Sequence, residues 1–267
     1  MSKAPIVLTV AGSDPSGGAG LQADLKTIHL HGAYGMAVPT LITVQNTERV
    51  EDVEFLSPDL VRAQLMTLLA DIEPSAAKTG ALGSPVVAHV LGSVMAMTPC
   101  SWVVDPVWLP TRGKPLAKAD MVEAYKDAVI PHATLVTPNA QEAELLAEMP
   151  VRCADDARKA AERIAALGAA AVLVKGGHFE GPARGTDVLF HEGEATELKV
   201  EDVVPGRFHG TGCALSAAVA ARLAFGEDIP NAVVGAKAWL TQALTHAFAV
   251  GKGARPVNHL WPMDDKP

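Results

Sequence analysis

The sequence predicts an α/β fold in which helices cover both faces of a central, mainly parallel sheet. Short β-branched runs alternate along the chain with longer stretches of helical periodicity, the order that builds right-handed βαβ units. Apolar residues make up 49% of the chain but aromatic ones only 4%. Ala, Val and Leu must therefore fill the core, as suits helices packed on a sheet buried on both faces.

The first strand is Ile6-Val7-Leu8-Thr9-Val10, followed by a Gly/Ser/Pro loop from Ser13 to Gly20. Leu21, Leu25 and Ile28 then recur at helical spacing as far as Gly32, a helix stop. Val38 to Gln45 reads as the second strand. Ser57 to Asp71 reads as an amphipathic helix, with Ser57 at the N-cap, Asp59 in the first turn and Leu60, Val61, Leu65, Leu68 and Leu69 as its stripe. Further strands are expected at 76–79, 102–105, 134–137 and 171–175, and a helix from Asp155 to Leu167 closed by Gly168. An antiparallel pair, Asp187–His191 and Ala195–Val200, turns at Glu192-Gly193-Glu194. Helices over Thr211–Phe225 and Ile229–Val250 precede an irregular tail. No repeat or linker interrupts the order, so a single domain over 1–267 is the expectation.

The formal charge is −8, with no basic block, which argues against nucleic acid or a membrane surface as partner. An anionic small molecule stays open, because backbone N–H groups and one or two cations suffice for a phosphate. The three cysteines, Cys100, Cys153 and Cys213, form no C-x-x-C pair, and their odd number suits a reducing compartment. The apolar stretch from Ile6 to Ala11 is too short for a signal segment or a membrane span. These features lead to the expectation of a cytoplasmic protein.

The chemistry gathers at strand ends and one helix start. Phe208-His209-Gly210-Thr211-Gly212-Cys213-Ala214-Leu215-Ser216 leads into a helix. Glycines let the backbone turn tightly and bring several N–H groups to one point, and the helix dipole adds to them. That is an anion hole for a transferring phosphoryl group. Cys213 lies in the first turn, where a thiol loses its proton more readily and can serve as a base. The plainer reading is a Gly-flanked helix start with an inert cysteine. Ala11-Gly12-Ser13-Asp14-Pro15-Ser16-Gly17-Gly18-Ala19-Gly20 closes the first strand, where open α/β sheets place ligands, yet it is neither G-x-G-x-x-G nor a P-loop. Asp105-Pro106-Val107 and Thr137-Pro138-Asn139 close later strands. Asn139 and Glu142 share a face of a helix's first turn, as hard ligands for Mg²⁺ or as a capping box, or both. Lys175, in Lys175-Gly176-Gly177-His178, can reach a phosphate. His29 and His31 do not face a common ligand.

In this order, AGSDPSGGAGLQADLK over Ala11–Lys26, Gln45-Asn46-Thr47, Asp105-Pro106-Val107, Thr137-Pro138-Asn139 with Glu142, Val174-Lys175-Gly176-Gly177-His178 and His209-Gly210-Thr211-Gly212-Cys213 resemble the motifs of hydroxymethylpyrimidine/phosphomethylpyrimidine kinases. The resemblance runs from about Pro5 to about Phe248. It implies a ribokinase-like fold, a homodimer, and ATP- and Mg²⁺-dependent phosphorylation of 4-amino-5-hydroxymethyl-2-methylpyrimidine to its monophosphate and then its diphosphate. Cys213 would be the base, and Gly210, Thr211 and Gly212 the anion hole. Asp24 and Gln45 would hold the pyrimidine beside Gly12, Ala19, Gly20 and Val107. Asp105, Asn139 and Glu142 would organise Mg²⁺ and its waters, and Lys175 the nucleotide phosphates. Gln45 offers a donor and an acceptor, matching the amino group and ring nitrogen of an aminopyrimidine. Two departures stand out. Ala81 takes the place of the family's methionine in Lys78-Thr79-Gly80-Ala81-Leu82, leaving room unless Trp108 fills it. Val204-Pro205-Gly206-Arg207-Phe208 replaces the usual Thr-x-Asn-Thr, and Arg207 there would meet a phosphate or solvent. A pyridoxal or pyridoxine kinase of the same superfamily, and a catalytically silent vitamer-binding regulator, remain as alternatives.

Overall fold

The computed structural model describes residues 4–108, 116, 120–177, 179, 185–199 and 203–263. The chain runs β1 (Ile6–Ser13), α1 (Gly20–Leu30), β2 (Tyr34–Gln45), β3 (Val50–Phe55), α2 (Pro58–Leu69), β4 (Ala76–Thr79), α3 (Pro85–Met95), β5 (Ser101–Val104) and α4 (Met121–Ala124). It continues through β6 (Leu135–Val136), α5 (Ala140–Ala147), α6 (Ala154–Ala165), β7 (Ala171–Val174), β8 (Asp187–His191), β9 (Glu194–Leu198), β10 (Phe208–His209), α7 (Thr211–Ala224), α8 (Ile229–Thr245) and β11 (Arg255–Pro256). Nine strands form one sheet in the order β3-β2-β1-β4-β5-β6-β7-β8-β9. The inner six are parallel, and antiparallel pairings with β3 on one side and β8–β9 on the other finish it.

Successive strand residues point to opposite faces, so each strand feeds two cores. Leu8, Val104, Val136 and Val172 face a core with Val61 and Leu65 of α2, Val87 and Leu91 of α3, Leu146 of α5 and Ile164 of α6. Val7, Val103, Leu135 and Leu173 face the other core, with Ile28 of α1 and an alanine-rich side of α7 and α8. In α7, Ala214 through Ala221 are all buried, and the small side chains let this helix lie close on the sheet. Its N-terminus is thereby brought over the C-terminal ends of β5 and β7.

The expected α/β sandwich is the one observed, with three local differences. β3, with the sequence Val-Glu-Asp-Val-Glu-Phe, was not expected as a strand; only Val50 in it is buried, and its ladder with β2 holds it in place. The last helix stops at Thr245 rather than Val250. There the chain leaves the helix so that Ala254 can donate to Thr47 O at 3.0 Å and Arg255 to Arg207 O at 3.0 Å. The tail is therefore not wholly irregular: β11 pairs in parallel with β10. The expected hairpin at 187–200 forms, turning at Glu192 and Gly193 with φ of 52° and 81°; Val200 lies outside the described residues.

Candidate active site

The loop after β1 is wound around one carboxylate. Asp14, 3% exposed, accepts from Ser16 N–H at 2.9 Å, Ser16 Oγ–H at 3.0 Å and Ala19 N–H at 2.9 Å. Its own N–H donates to Gln22 Oε1 at 2.9 Å. The loop ends on Gly20, where φ is +57° and a Cβ would stand 2.3 Å from Gly12 O. Only glycine fits there.

The same demand recurs at the start of α7. Gly210 caps the helix at φ +77°, and a Cβ on it would lie 1.8 Å from Gly18 O. The two glycine-rich segments thus touch backbone to backbone, and two helix N-termini, those of α1 and α7, converge. Cys213 sits between them, partly exposed, and its sulfur accepts from Gly20 N–H. The lowered thiol pKa expected from the helix start is not found. Burial raises Cys213 to about 11, outweighing Lys78 and the Gly20 N–H, which pull the other way. A helix dipole is worth about 0.3–1 kcal/mol at an exposed site, too little to offset desolvation of a thiolate here.

Beneath the helix start lies a row of charges. A Cβ on Gly212 would be 3.1 Å from Lys175 Nζ and 3.3 Å from Asp105 Oδ2, so the α7 backbone rests on this pair. Lys175 Nζ meets Asp105 Oδ1 at 2.9 Å, and Thr137 Oγ1 donates to the same oxygen at 3.2 Å. Asn139 and Glu142 form a complete capping box: Asn139 N–H donates to Glu142 Oε2 at 2.7 Å and Glu142 N–H to Asn139 Oδ1 at 3.0 Å. The plainer reading of this pair therefore holds. Burial raises Glu142 to about 7, with Lys175 lowering and Asp105 raising it. Among the described residues no cluster of three metal-ligating side chains exists. Asp105 and Glu142 are hard oxygen donors beside Lys175, a set that suits a Mg²⁺ held largely by water and phosphate.

Asp24 requires a correction. Both of its oxygens lie 2.9 Å from Lys78 Nζ, Thr9 Oγ1 donates to it at 2.6 Å, and neither side chain of the ion pair has any exposure. A carboxylate so engaged has no edge left for a pyrimidine. Lys78, to which the sequence motifs assign no role, stands in the central strand Ala76–Thr79. Burial lowers its pKa, but the charges of Asp24, Cys213 and Asp105 together hold it above the ordinary lysine range. A lysine inside a central strand is the signal that could have found it, since burial of such a charge demands a partner.

The remaining expected residues surround this row. Gln45, half-buried at the end of β2, has Nε2 3.1 Å from His209 Nε2. Gly12 is buried at the end of β1, Ala19 caps α1, and Val107 follows Asp105, to whose carbonyl its N–H donates at 2.8 Å. Trp108 packs edge-on against Tyr125 at 5.5 Å, and the Tyr125 hydroxyl donates to Gly80 O at 3.3 Å, next to Ala81. Arg207 is exposed. His178 lies outside the described residues. His31 packs edge-on against Trp239 at 5.0 Å rather than facing His29.

The sequence profile of the phosphomethylpyrimidine kinase family matches residues 14–258. The chain belongs to the phosphomethylpyrimidine kinase family. Within it, the chain is 40% identical to the hydroxymethylpyrimidine/phosphomethylpyrimidine kinase of Synechococcus elongatus, covering 97% of this chain and 98% of that one. The enzyme of the same name from Streptomyces coelicolor is 40% identical over 98% of this chain and 96% of its own length. Among solved structures, the ADP complex of Bacillus subtilis pyridoxal kinase aligns with a TM-score of 0.88 at 34% identity, covering 97% of this chain and 99% of that one. Clostridium difficile phosphomethylpyrimidine kinase aligns at 0.80 and 37% identity, covering 90% and 99%. The fold is that of the ribokinase-like vitamin kinases, and the chain is an ATP-dependent phosphotransferase of this family.

Proposed function

We propose that this enzyme phosphorylates 4-amino-5-hydroxymethyl-2-methylpyrimidine and then its monophosphate, as the names of its relatives describe for those proteins. The observation that carries the chemistry is the convergence of Gly20 N–H and the α7 N-terminus on the Cys213 sulfur, directly above the Lys175–Asp105 pair. The substrate hydroxyl gives its proton to Cys213, its oxygen attacks the terminal phosphorus of ATP, and the bond to the bridging oxygen breaks to release ADP. N–H groups of Gly210, Thr211 and Gly212 take the negative charge that grows on the transferring group. Lys175, released from Asp105, contacts the nucleotide phosphates. Asp105 and Glu142, with Asn139 behind them, hold water around Mg²⁺, which when bound neutralises phosphate charge. Gln45 takes the aminopyrimidine edge, beside the backbone of Gly12, Ala19, Gly20 and Val107.

Lys78 belongs in this scheme as a fixed positive charge near Cys213. With burial pushing the thiol up to about 11, proton acceptance depends on the cations around it. Asp24 holds Lys78 and does not touch substrate. The homodimer and the cytoplasmic location are part of the same proposal; among the described residues no helix is long and apolar enough to cross a membrane.

A second reading, pyridoxine as the substrate, is favoured by the alignment with Bacillus subtilis pyridoxal kinase. Steady-state kcat/KM for the pyrimidine and for pyridoxine, with ATP and Mg²⁺, decides between them. The pyrimidine is expected to be the better substrate, and a tenfold preference for pyridoxine overturns the proposal.

A further inference from the structure

Two residues of the site have no role in the scheme above, Asp14 and His209. His209 Nε2 lies 2.8 Å from Asp14 Oδ2 and 3.1 Å from the Gln45 amide. The imidazole is fixed on several sides. A Cβ on Gly18 would fall 2.7 Å from His209 Cδ2, and β10 pairs His209 with Pro256. Asp14 is fixed in turn by Ser16 and Ala19. Gln45 sits at a turn pinned by Asn46 Oδ1, which accepts from Glu48 N–H at 2.8 Å and Arg49 N–H at 3.1 Å.

One nitrogen therefore faces two neighbours. Burial raises the Asp14 carboxyl, but hydrogen bonds from His209 and Ser16 outweigh it and hold it below the ordinary value, so Asp14 is a carboxylate and can only accept. His209 Nε2 must then carry the hydrogen. That hydrogen points mainly at Asp14, 2.8 Å away, and leaves Nε2 no lone pair for Gln45; the Gln45 Nε2 placed 3.1 Å off would face a donor, so the amide suits this contact when turned with its carbonyl oxygen toward His209, sharing the same hydrogen. That oxygen has a second lone pair, and the amide NH2 turns outward beside it.

We propose that His209, held by Asp14, is the positioning residue that fixes the Gln45 amide and thereby the hydrogen-bond pattern the pocket accepts. The inference rests on the reading that Gln45 takes the pyrimidine edge. With its oxygen toward His209, the amide donates from NH2 to a ring nitrogen and accepts from an exocyclic amine. It rejects a ring N–H beside an exocyclic carbonyl, because two donors and two acceptors would then face each other. The site discriminates by the orientation of one amide, set from behind by a charged relay of two residues that do not touch the ring.

The test compares the 4-amino substrate with its 4-oxo analogue, which reverses donor and acceptor along that edge. Wild type is expected to prefer the amino compound by about 10⁴-fold in kcat/KM, the range for sites built to hydrogen-bond a substrate. His209→Phe keeps the ring volume and removes the N–H; the preference should fall at least tenfold, because the amide can turn. His209→Gln keeps a donor N–H and should retain most of the preference. An unchanged ratio in His209→Phe, even with both rates lowered, overturns the inference, as does an equal loss in both variants. A measurement on the intact wild type guards against misfolded variants: side-chain ¹⁵N NMR should show Nε2 protonated in the free enzyme. A lone pair on Nε2 overturns the inference. If wild type phosphorylates neither pyrimidine while it phosphorylates pyridoxine, the substrate reading fails and the inference with it. If it phosphorylates the amino compound and the ratio does not respond to His209, the inference alone fails.

Discussion

Cys213 carries the sharpest expectation at the scale of single residues. As the base for the alcohol step, its loss in Cys213→Ala should lower kcat by about 10²–10⁴-fold, with little change in KM for ATP. The second step, whose acceptor phosphate is already ionised, should suffer less. Separate assays of the two steps check this, and near-normal alcohol phosphorylation by the variant overturns the base assignment. The thiol itself should report its burial. With burial pushing the thiol up to about 11, the thiolate fraction is small at pH 7 and grows as pH rises. Alkylation of Cys213 in a Cys153→Ser background should therefore keep accelerating to at least pH 10; a plateau near pH 8 would mean an activated thiol. Cys100, pushed by burial to about 12, will not compete at neutral pH. The Lys78–Asp24 pair makes a third expectation. Removing one member leaves the other charge buried and unpaired, which costs about 3–5 kcal/mol. Asp24→Asn should lose stability of that order in chemical denaturation, whereas a substrate contact would affect KM and leave stability nearly unchanged.

Among the elements, the β2–β3 hairpin is where the proposed dimer can be tested. Ile42 and Val44 are 42% and 59% exposed, and their cross-strand partners are Glu54 and Asp52. Lysines at 42 and 44 would sit opposite carboxylates and keep the hairpin paired. Ile42→Lys/Val44→Lys should then convert a dimer to monomer in light scattering without unfolding it, and an unchanged mass overturns this surface as the interface. The same hairpin marks the limit of sequence reading. The parallel strands were legible because Val, Leu and Ala runs buried on both faces have few other uses. β3 was not, because its alternation of Val with Asp and Glu gives no core face, and only pairing with β2 makes it a strand. The α7 start was legible from glycines that the chain needs at positive φ. Asp24 was misjudged for the opposite reason: a family motif names a residue but not which way its side chain points, and only the structure shows Lys78 of β4, beside Thr9 of β1, meeting it from beneath α1.

Over the described residues, one continuous sheet lies between two cores, and we propose that the chain unfolds as a single domain. Thermal unfolding should show one cooperative transition in calorimetry, and two resolved transitions would overturn that reading. Bound pyrimidine at a hundred times its Kd should stabilise the fold by about 2.7 kcal/mol. Continuity also has a consequence in time. The residues that meet at the site come from the ends of β1, β2, β5 and β7 and from α1, α5 and α7, but His209 pairs with Pro256 in β11, beyond the end of α8. On the ribosome, the early strands emerge and can pair long before that segment has been translated. A nascent chain stalled after α8 would thus carry Gln45, Cys213 and Lys175 and still lack the strand that sets His209 against Gln45. Substrate selection would then be acquired late in synthesis, and a premature stop codon between α8 and β11 should cost it before it costs the sheet.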